Sequence, residues 1–261
     1  MKIGVVIIAY NSADRLLRLI ESARSSVNRI VFHLFLHSRH APTMSVCESL
    51  SGDQGVIYYP YGVNRGVSKS WNEGMLNAYS DGMDVVLLVN DDIIFSAGDV
   101  DKLAEKAKQS RDRYIVTCAG FHLRHNQATT SLGYACFAIN PVALEIIGCF
   151  DENFFPAYCE DVDYQYRARL AGLSAGNCED TMVYHGGSVT IFTDPALARQ
   201  NLLTHGRNFA YYRFKWGGEG GEELFKRPFN QTSFGYFISS EQRRAPYGPD
   251  YDRTDQWIVR I

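Results

Sequence analysis

The chain opens on KIGVVIIAY, a continuous apolar run rich in β-branched residues that turns polar at Asn11 and Ser12. An unbroken run of this length predicts a strand covered on both faces, and Asn11 and Ser12 offer caps to a following helix. In that helix Leu16, Leu17, Ile20 and Ala23 share one stripe. RIVFHLFLH, GVIYYP and DVVLLVN repeat the strand signature, and VSKSWNEGMLNAYS reads as a helix after the Asn64-Arg65-Gly66 turn. Further on, DVDKLAEKAKQS predicts a helix, RYIVTCAG and LGYACFAIN strands, and PVALEIIG a short helix with Pro141 at its start. YCEDVDYQYRARLAG follows as an amphipathic helix with Glu160, Asp161 and Asp163 in its first turn; TMVYHGGS is strand-like, and residues 195–216 are helical. The alternation predicts an α/β fold with a mostly parallel sheet, helices on both faces and right-handed crossovers.

Composition narrows the function classes. A chain of 261 residues with 46% apolar content can bury a large core. The net charge is −3 and the basic residues are scattered, so no electrostatic footprint points to a nucleic-acid partner. The six cysteines form no CxxC pair and several sit in apolar stretches, which favours a reducing compartment. No run reaches the roughly 18 to 20 apolar residues of a transmembrane span, and the N-terminal stretch turns polar too early for a signal peptide. A cytoplasmic protein is expected.

In open α/β sheets ligands bind beyond the carboxyl ends of the strands, and Asn11, His37, Asn64 and Asn90-Asp91-Asp92 all fall at such ends. Each has a plain alternative as a turn former or cap. Two adjacent carboxylates at a strand mouth repel unless a cation or donor network holds them, and a hard divalent ion suits them. The acids at 160–163 complement a helix dipole, or place one carboxylate in a cleft as a general base. His185 closes an apolar strand ahead of two glycines, where a histidine packs structurally or joins Asp92 in a mixed carboxylate/imidazole metal site.

Taken in order, VVIIAYN, NRGVSKSWNEG, LLVNDDI, GCFDENFFPAYCEDVDYQYRARLAG and VYHGGS resemble the family 2 glycosyltransferases, inverting enzymes of the GT-A fold, with a rhamnosyltransferase-like flavour. The resemblance covers roughly residues 3 to 190. It implies a GT-A type, Rossmann-like sheet over 1–190 carrying donor and acceptor sites, and a small helical or irregular C-terminal appendage over 191–261 packed on it. FKWGG recurs near the C-terminus of such proteins.

By the same resemblance, Ala9, Tyr10 and Asn11 touch the nucleotide of the donor, with Asn64 and Lys69 near its base. Asn90 takes the first acidic place of the DXD motif, Asp91 contacts sugar or ribose, and Asp92 ligates Mn²⁺ or Mg²⁺ together with His185. Asp161 is the implied catalytic base, and Glu160 and Tyr134 bind the acceptor. The implied activity moves a sugar from a nucleoside-diphosphate donor, UDP- or dTDP-linked, to a hydroxyl of a glycan or glycoconjugate, with inversion. Oligomerisation stays open. Two departures stand out: FLHSRH lacks the acid that reads the nucleobase after the second strand, and Asn90 lowers the charge of the metal site. A sugar-nucleotide hydrolase and a catalytically silent sugar-nucleotide-binding protein are the alternatives on the same fold. A dinucleotide-dependent oxidoreductase is disfavoured, since no G-x-G-x-x-G follows the first strand.

Overall fold

The computed structural model describes residues 1–187 and 195–243. Its frame is β1 (Lys2–Ala9), α1 (Ala13–Ala23), β2 (Arg29–Leu36), α2 (Ala41–Ser51), β3 (Val56–Tyr59), α3 (Val67–Ser80) and β4 (Val85–Asn90). There follow β5 (Ile93–Ile94), α4 (Asp99–Gln109), β6 (Arg113–His122), β7 (Gln127–Thr129), β8 (Cys136–Ile139), α5 (Pro141–Ile147), α6 (Glu160–Leu170), β9 (Ser174–His185) and α7 (Pro195–Trp216). The strands build one nine-stranded sheet in the order β3-β2-β1-β4-β8-β6-β9-β5, with β7 beside β6. β1, β2, β3 and β4 pair in parallel; β8 runs opposite to both β4 and β6, so β6 and its parallel neighbour β9 share the direction of the first four. Only β5, β7 and β8 run the other way, and the sheet is mostly parallel as expected.

Side-chain alternation along β1 explains its lack of polar residues after Lys2. Ile3, Val5 and Ile7 join a core with Leu16, Leu19 and Ile20 of α1, Cys47 of α2 and Leu103 of α4. Val6 faces the opposite layer with Trp71 and Met75 of α3, Ile147 of α5 and Tyr164 of α6. Both faces are covered, so polar alternation would bury polar groups on either side. Each such side chain contributes about 1.5–3 kcal/mol relative to exposure.

Several local expectations change. Leu17 is 43% exposed and Leu19 takes its place in the α1 stripe, because i+3 and i+4 from Leu16 share its face and i+1 does not. Ser12 holds the N-cap position of α1 without a side-chain cap bond, and Asn11 adopts φ +50°. Helix α2, with Pro42 in its first turn, carries no clear apolar stripe and was not expected from the pattern. The amphipathic expectation for α6 changes as well: Glu160, Asp163 and Arg167 are buried together with Tyr164, Tyr166 and Ala168, and only Gln165 and Arg169 of this helix are exposed.

α6 is enclosed because α7 packs on it. Phe154, Cys159, Tyr166, Tyr211, Tyr212 and Trp216 form one cluster, and Gly148 bridges to Ile238 of the tail. Beneath the cluster lies a charge network with no exposure at any member: Lys215 Nζ is 2.6 Å from Asp163 and 2.8 Å from Asp151, and Arg167 Nε is 2.8 Å from Asp163. Trp216 Nε1 donates at 2.8 Å to Asp163 Oδ1, the oxygen that Lys215 also contacts, and the Tyr211 hydroxyl donates to Asp151 at 2.9 Å. The expected boundary at 190 and the tail from 244 lie outside the described residues.

Candidate active site

Parallel register decides which residues meet at the carboxyl edge. Ala9 pairs with Leu36 and Ile8 with Asn90, so Tyr10, His37 and Asp91 emerge side by side. The Tyr10 N–H donates to Asp91 Oδ2 at 3.1 Å, and Arg15 lies 4.0 Å from the same oxygen. Burial pushes the Asp91 carboxyl up to about 6, against the opposing pull of Ser12 and Arg15. His37 is buried, with Nε2 2.6 Å from Ser70 Oγ, and desolvation lowers it to about 3, so it is a neutral imidazole at pH 7.

Asp92 and His185 meet through a second pairing. β5 runs antiparallel to β9 with Ile93 opposite His185, and the Gly186 N–H donates to the Asp92 carbonyl at 2.9 Å. These bonds bring His185 Nε2 to 3.4 Å from Asp92 Oδ1. That nitrogen is buried and makes no hydrogen bond. Among the described residues no group of three or more His, Cys, Asp and Glu side chains converges as a metal cage. A carboxylate beside a buried imidazole nitrogen that makes no hydrogen bond nevertheless fits two protein ligands of one Mn²⁺ or Mg²⁺.

The start of the acidic helix supplies another wall. Tyr158 and Cys159 precede it at φ +78° and +71°, a left-handed conformation that costs free energy for non-glycine residues. Asn208 of α7 holds this entry: Nδ2 donates to the Ala157 and Tyr158 carbonyls at 2.8 and 3.1 Å, and Oδ1 accepts from the Phe155 N–H at 3.4 Å. Glu160 is buried, its Oε2 has no hydrogen-bond partner, and burial with the adjacent Asp161 charge raises its carboxyl well above the usual range. Burial also raises Asp161, less strongly, while the Val162 N–H bonds it at 2.8 Å.

Between these walls lies a cavity of about 360 Å³. Of the residues singled out in the sequence, Tyr10, His37, Asn64, Asn90, Asp91, Asp92, Tyr134, Glu160 and Asp161 line it. His185 stands behind Asp92 rather than in the wall. Ala9 is turned into the core, and Asn11 donates its N–H to Ser38 Oγ at 3.3 Å; neither lines the cavity. Lys69 is also absent from the lining, buried in α3 with Nζ 3.4 Å from Glu73. Asn64 serves its turn as well, accepting the Gly66 N–H at 3.0 Å. Trp71, Tyr158 and Asn201 line the cavity without having been singled out. Trp71 reads as helix core, and nothing local marks Asn201, which arrives on a helix distant in sequence.

Residues 4–135, just over half of the chain, match the family described as glycosyl transferase family 2. The chain belongs to glycosyl transferase family 2. A "Galactofuranosyl glycosyltransferase" from Leishmania donovani is 32% identical over 132 residues, which cover 44% of this chain and 28% of that protein. This family 2 chain therefore spans less than a third of that relative's length. S. aureus TarS 1-349 superposes with a TM-score of 0.57 at 15% identity, covering 85% of this chain and 77% of that one. The mannosyltransferase PcManGT from Pyrobaculum calidifontis, solved with GDP-Man and Mn²⁺, gives 0.58 at 14% identity over 80% of this chain and 63% of its own. At such identities the likeness is one of fold, and that fold is GT-A. No helix among the described residues is long and apolar enough to cross a membrane.

Proposed function

We propose that this family 2 glycosyltransferase moves a sugar from a nucleoside-diphosphate donor to a hydroxyl of a glycan or glycoconjugate acceptor, with inversion at the anomeric carbon. The observation that carries the reading is that Asp92, just beyond the end of β4, and Asp161, at the start of α6, line one cavity. The PcManGT structure holds GDP-Man with Mn²⁺, and a TarS structure holds UDP, which supports a nucleotide donor of this class; UDP or dTDP is the donor nucleotide we favour.

In this reading Tyr10, Asn64, Asn90 and Asp91 form the donor wall. Asp92 and His185 would hold Mn²⁺ or Mg²⁺, and the chemistry that ion supplies when bound is neutralisation of charge on the departing diphosphate. Asp161 accepts the proton of the attacking hydroxyl, which is far too weak an acid to ionise at neutral pH. A base and a leaving group on opposite faces of one carbon require in-line displacement, hence inversion. Glu160, whose carboxyl burial raises well above its ordinary range, can in its protonated form donate a hydrogen bond to an acceptor oxygen as well as accept one. The division into a donor and acceptor domain over 1–190 and an appendage over 191–261 remains part of this proposal.

Asp161→Asn tests the assignment. Transfer should fall about 10²- to 10⁴-fold while calorimetry shows donor binding unchanged. Loss of donor binding together with turnover would place Asp161 in the donor site and remove its role as base.

A further inference from the structure

A ligating imidazole must present an unprotonated nitrogen, and a neutral histidine carries its single proton on the other one. That proton needs an acceptor, or the ring adopts the wrong tautomer. The Nδ1 of His185 lies 3.2 Å from Nδ1 of His122. His122 stands directly opposite His185 in the parallel β6/β9 register, and the Leu123 N–H donates to the His185 carbonyl at 2.9 Å. The same backbone that seats His185 thus also seats His122. The two rings are tilted with centroids 5.3 Å apart, so the contact is nitrogen to nitrogen rather than a stack.

We propose that His122 is a positioning residue for cation binding: its Nδ1 lone pair accepts the Nδ1–H of His185, which leaves the His185 Nε2 lone pair open beside Asp92. The open Nε2, buried without a hydrogen bond, is what this tautomer leaves behind. The inference rests on the reading of Asp92 and His185 as a ligand pair. It adds that β6, which supplies no residue to the cavity wall, controls the ligand geometry.

The test is titration of Mn²⁺ into the protein with saturating UDP, with free Mn²⁺ read by electron paramagnetic resonance. His122→Leu should weaken Mn²⁺ binding about 10- to 100-fold and leave metal-free UDP binding unchanged. His122→Asn, whose side-chain oxygen can accept from the same direction, should recover most of the loss. Imidazole ¹⁵N spectra of the unaltered protein should show His185 protonated at Nδ1, moving to Nε2 in His122→Leu. Equal Mn²⁺ affinity in His122→Leu, or a His185 proton on Nε2 in the unaltered protein, would overturn the role of His122. A His185→Ala protein that binds Mn²⁺ as well as the unaltered one would instead overturn the ligand pair itself.

Discussion

Lys215→Met would expose how strongly the C-terminal helix fixes the acidic one. Asp151, Asp163, Arg167 and Lys215 are all fully buried, two charges of each sign, and Lys215 bridges both carboxylates at 2.8 and 2.6 Å. Methionine keeps an unbranched apolar stem but loses the Nζ that stands 5.8 and 5.3 Å from the Phe154 and Trp216 ring centroids, so the change removes charge with little change of volume. It leaves two buried carboxylates facing one guanidinium. Breaking a buried pair by deleting one partner costs about 3–5 kcal/mol, a large part of the 5–15 kcal/mol that holds a typical domain together. Urea denaturation at pH 7 measures it. The acid limb gives an independent reading. Burial alone would raise Asp163, but Lys215 and Arg167 hold its carboxyl below the ordinary range. A depressed carboxyl contributes stability above its unfolded pKa, near 3.9, that is lost as pH falls through the native value; in Lys215→Met that acid-sensitive share should shrink. Adding Asp151→Asn, which restores the charge balance, should cost less than the sum of the two single changes. A loss below about 1 kcal/mol, the scale of an exposed pair, would refute the argument that this network ties α7 to α6.

Asn208→Ala removes three bonds to the 155–158 entry and should lower stability by about 1–3 kcal/mol while raising the acceptor KM more than the donor KM in steady-state assays. Gly74→Ala places a Cβ 2.5 Å from Val6 Cγ1 in a packed layer; overpacking of about 1–3 kcal/mol outweighs the roughly 1 kcal/mol of helix propensity gained, so calorimetric Tm should fall. Glu160 binds in the native state a proton that the unfolded chain loses near pH 4.3, so stability falls as pH rises from there toward its raised native value. Glu160→Gln should abolish that fall and be the more stable protein at pH 7 in denaturant titrations. Because burial raises Asp161, kcat should climb with pH through a value above the ordinary carboxylate range and then level off, and a pH–rate profile without such a limb would count against it as base.

Much of the edge of the sheet was legible because it depends on local order. Each β-branched run stops at a polar residue, and in a parallel sheet those stops share one side, so Tyr10, His37 and Asp91 had to be neighbours once β1, β2 and β4 paired. Leu17 and Leu19 were not separable by composition, since both are apolar and only the helix phase assigns them. Helix α2 was hidden because its buried face, Thr43, Cys47 and Leu50, mixes a polar residue with only two apolar ones. Trp71 and Asn201 reach the cavity from helices whose local signals say only core and surface.

By itself the sequence determined the alternation of strands and helices, the class of sheet and the placing of acids at a strand mouth and a helix start, because each follows from periods of two and of 3.6 residues and from capping chemistry within a few positions. Strand register brings Asp92 to His185, a pairing already expected from the sequence, while the tertiary structure alone decided that His185 leans on His122 and that Trp216 and Lys215 pack on α6. Those relations rest on strand register and on packing between segments separated by tens of residues, where a shift of one position would turn every side chain to the other face.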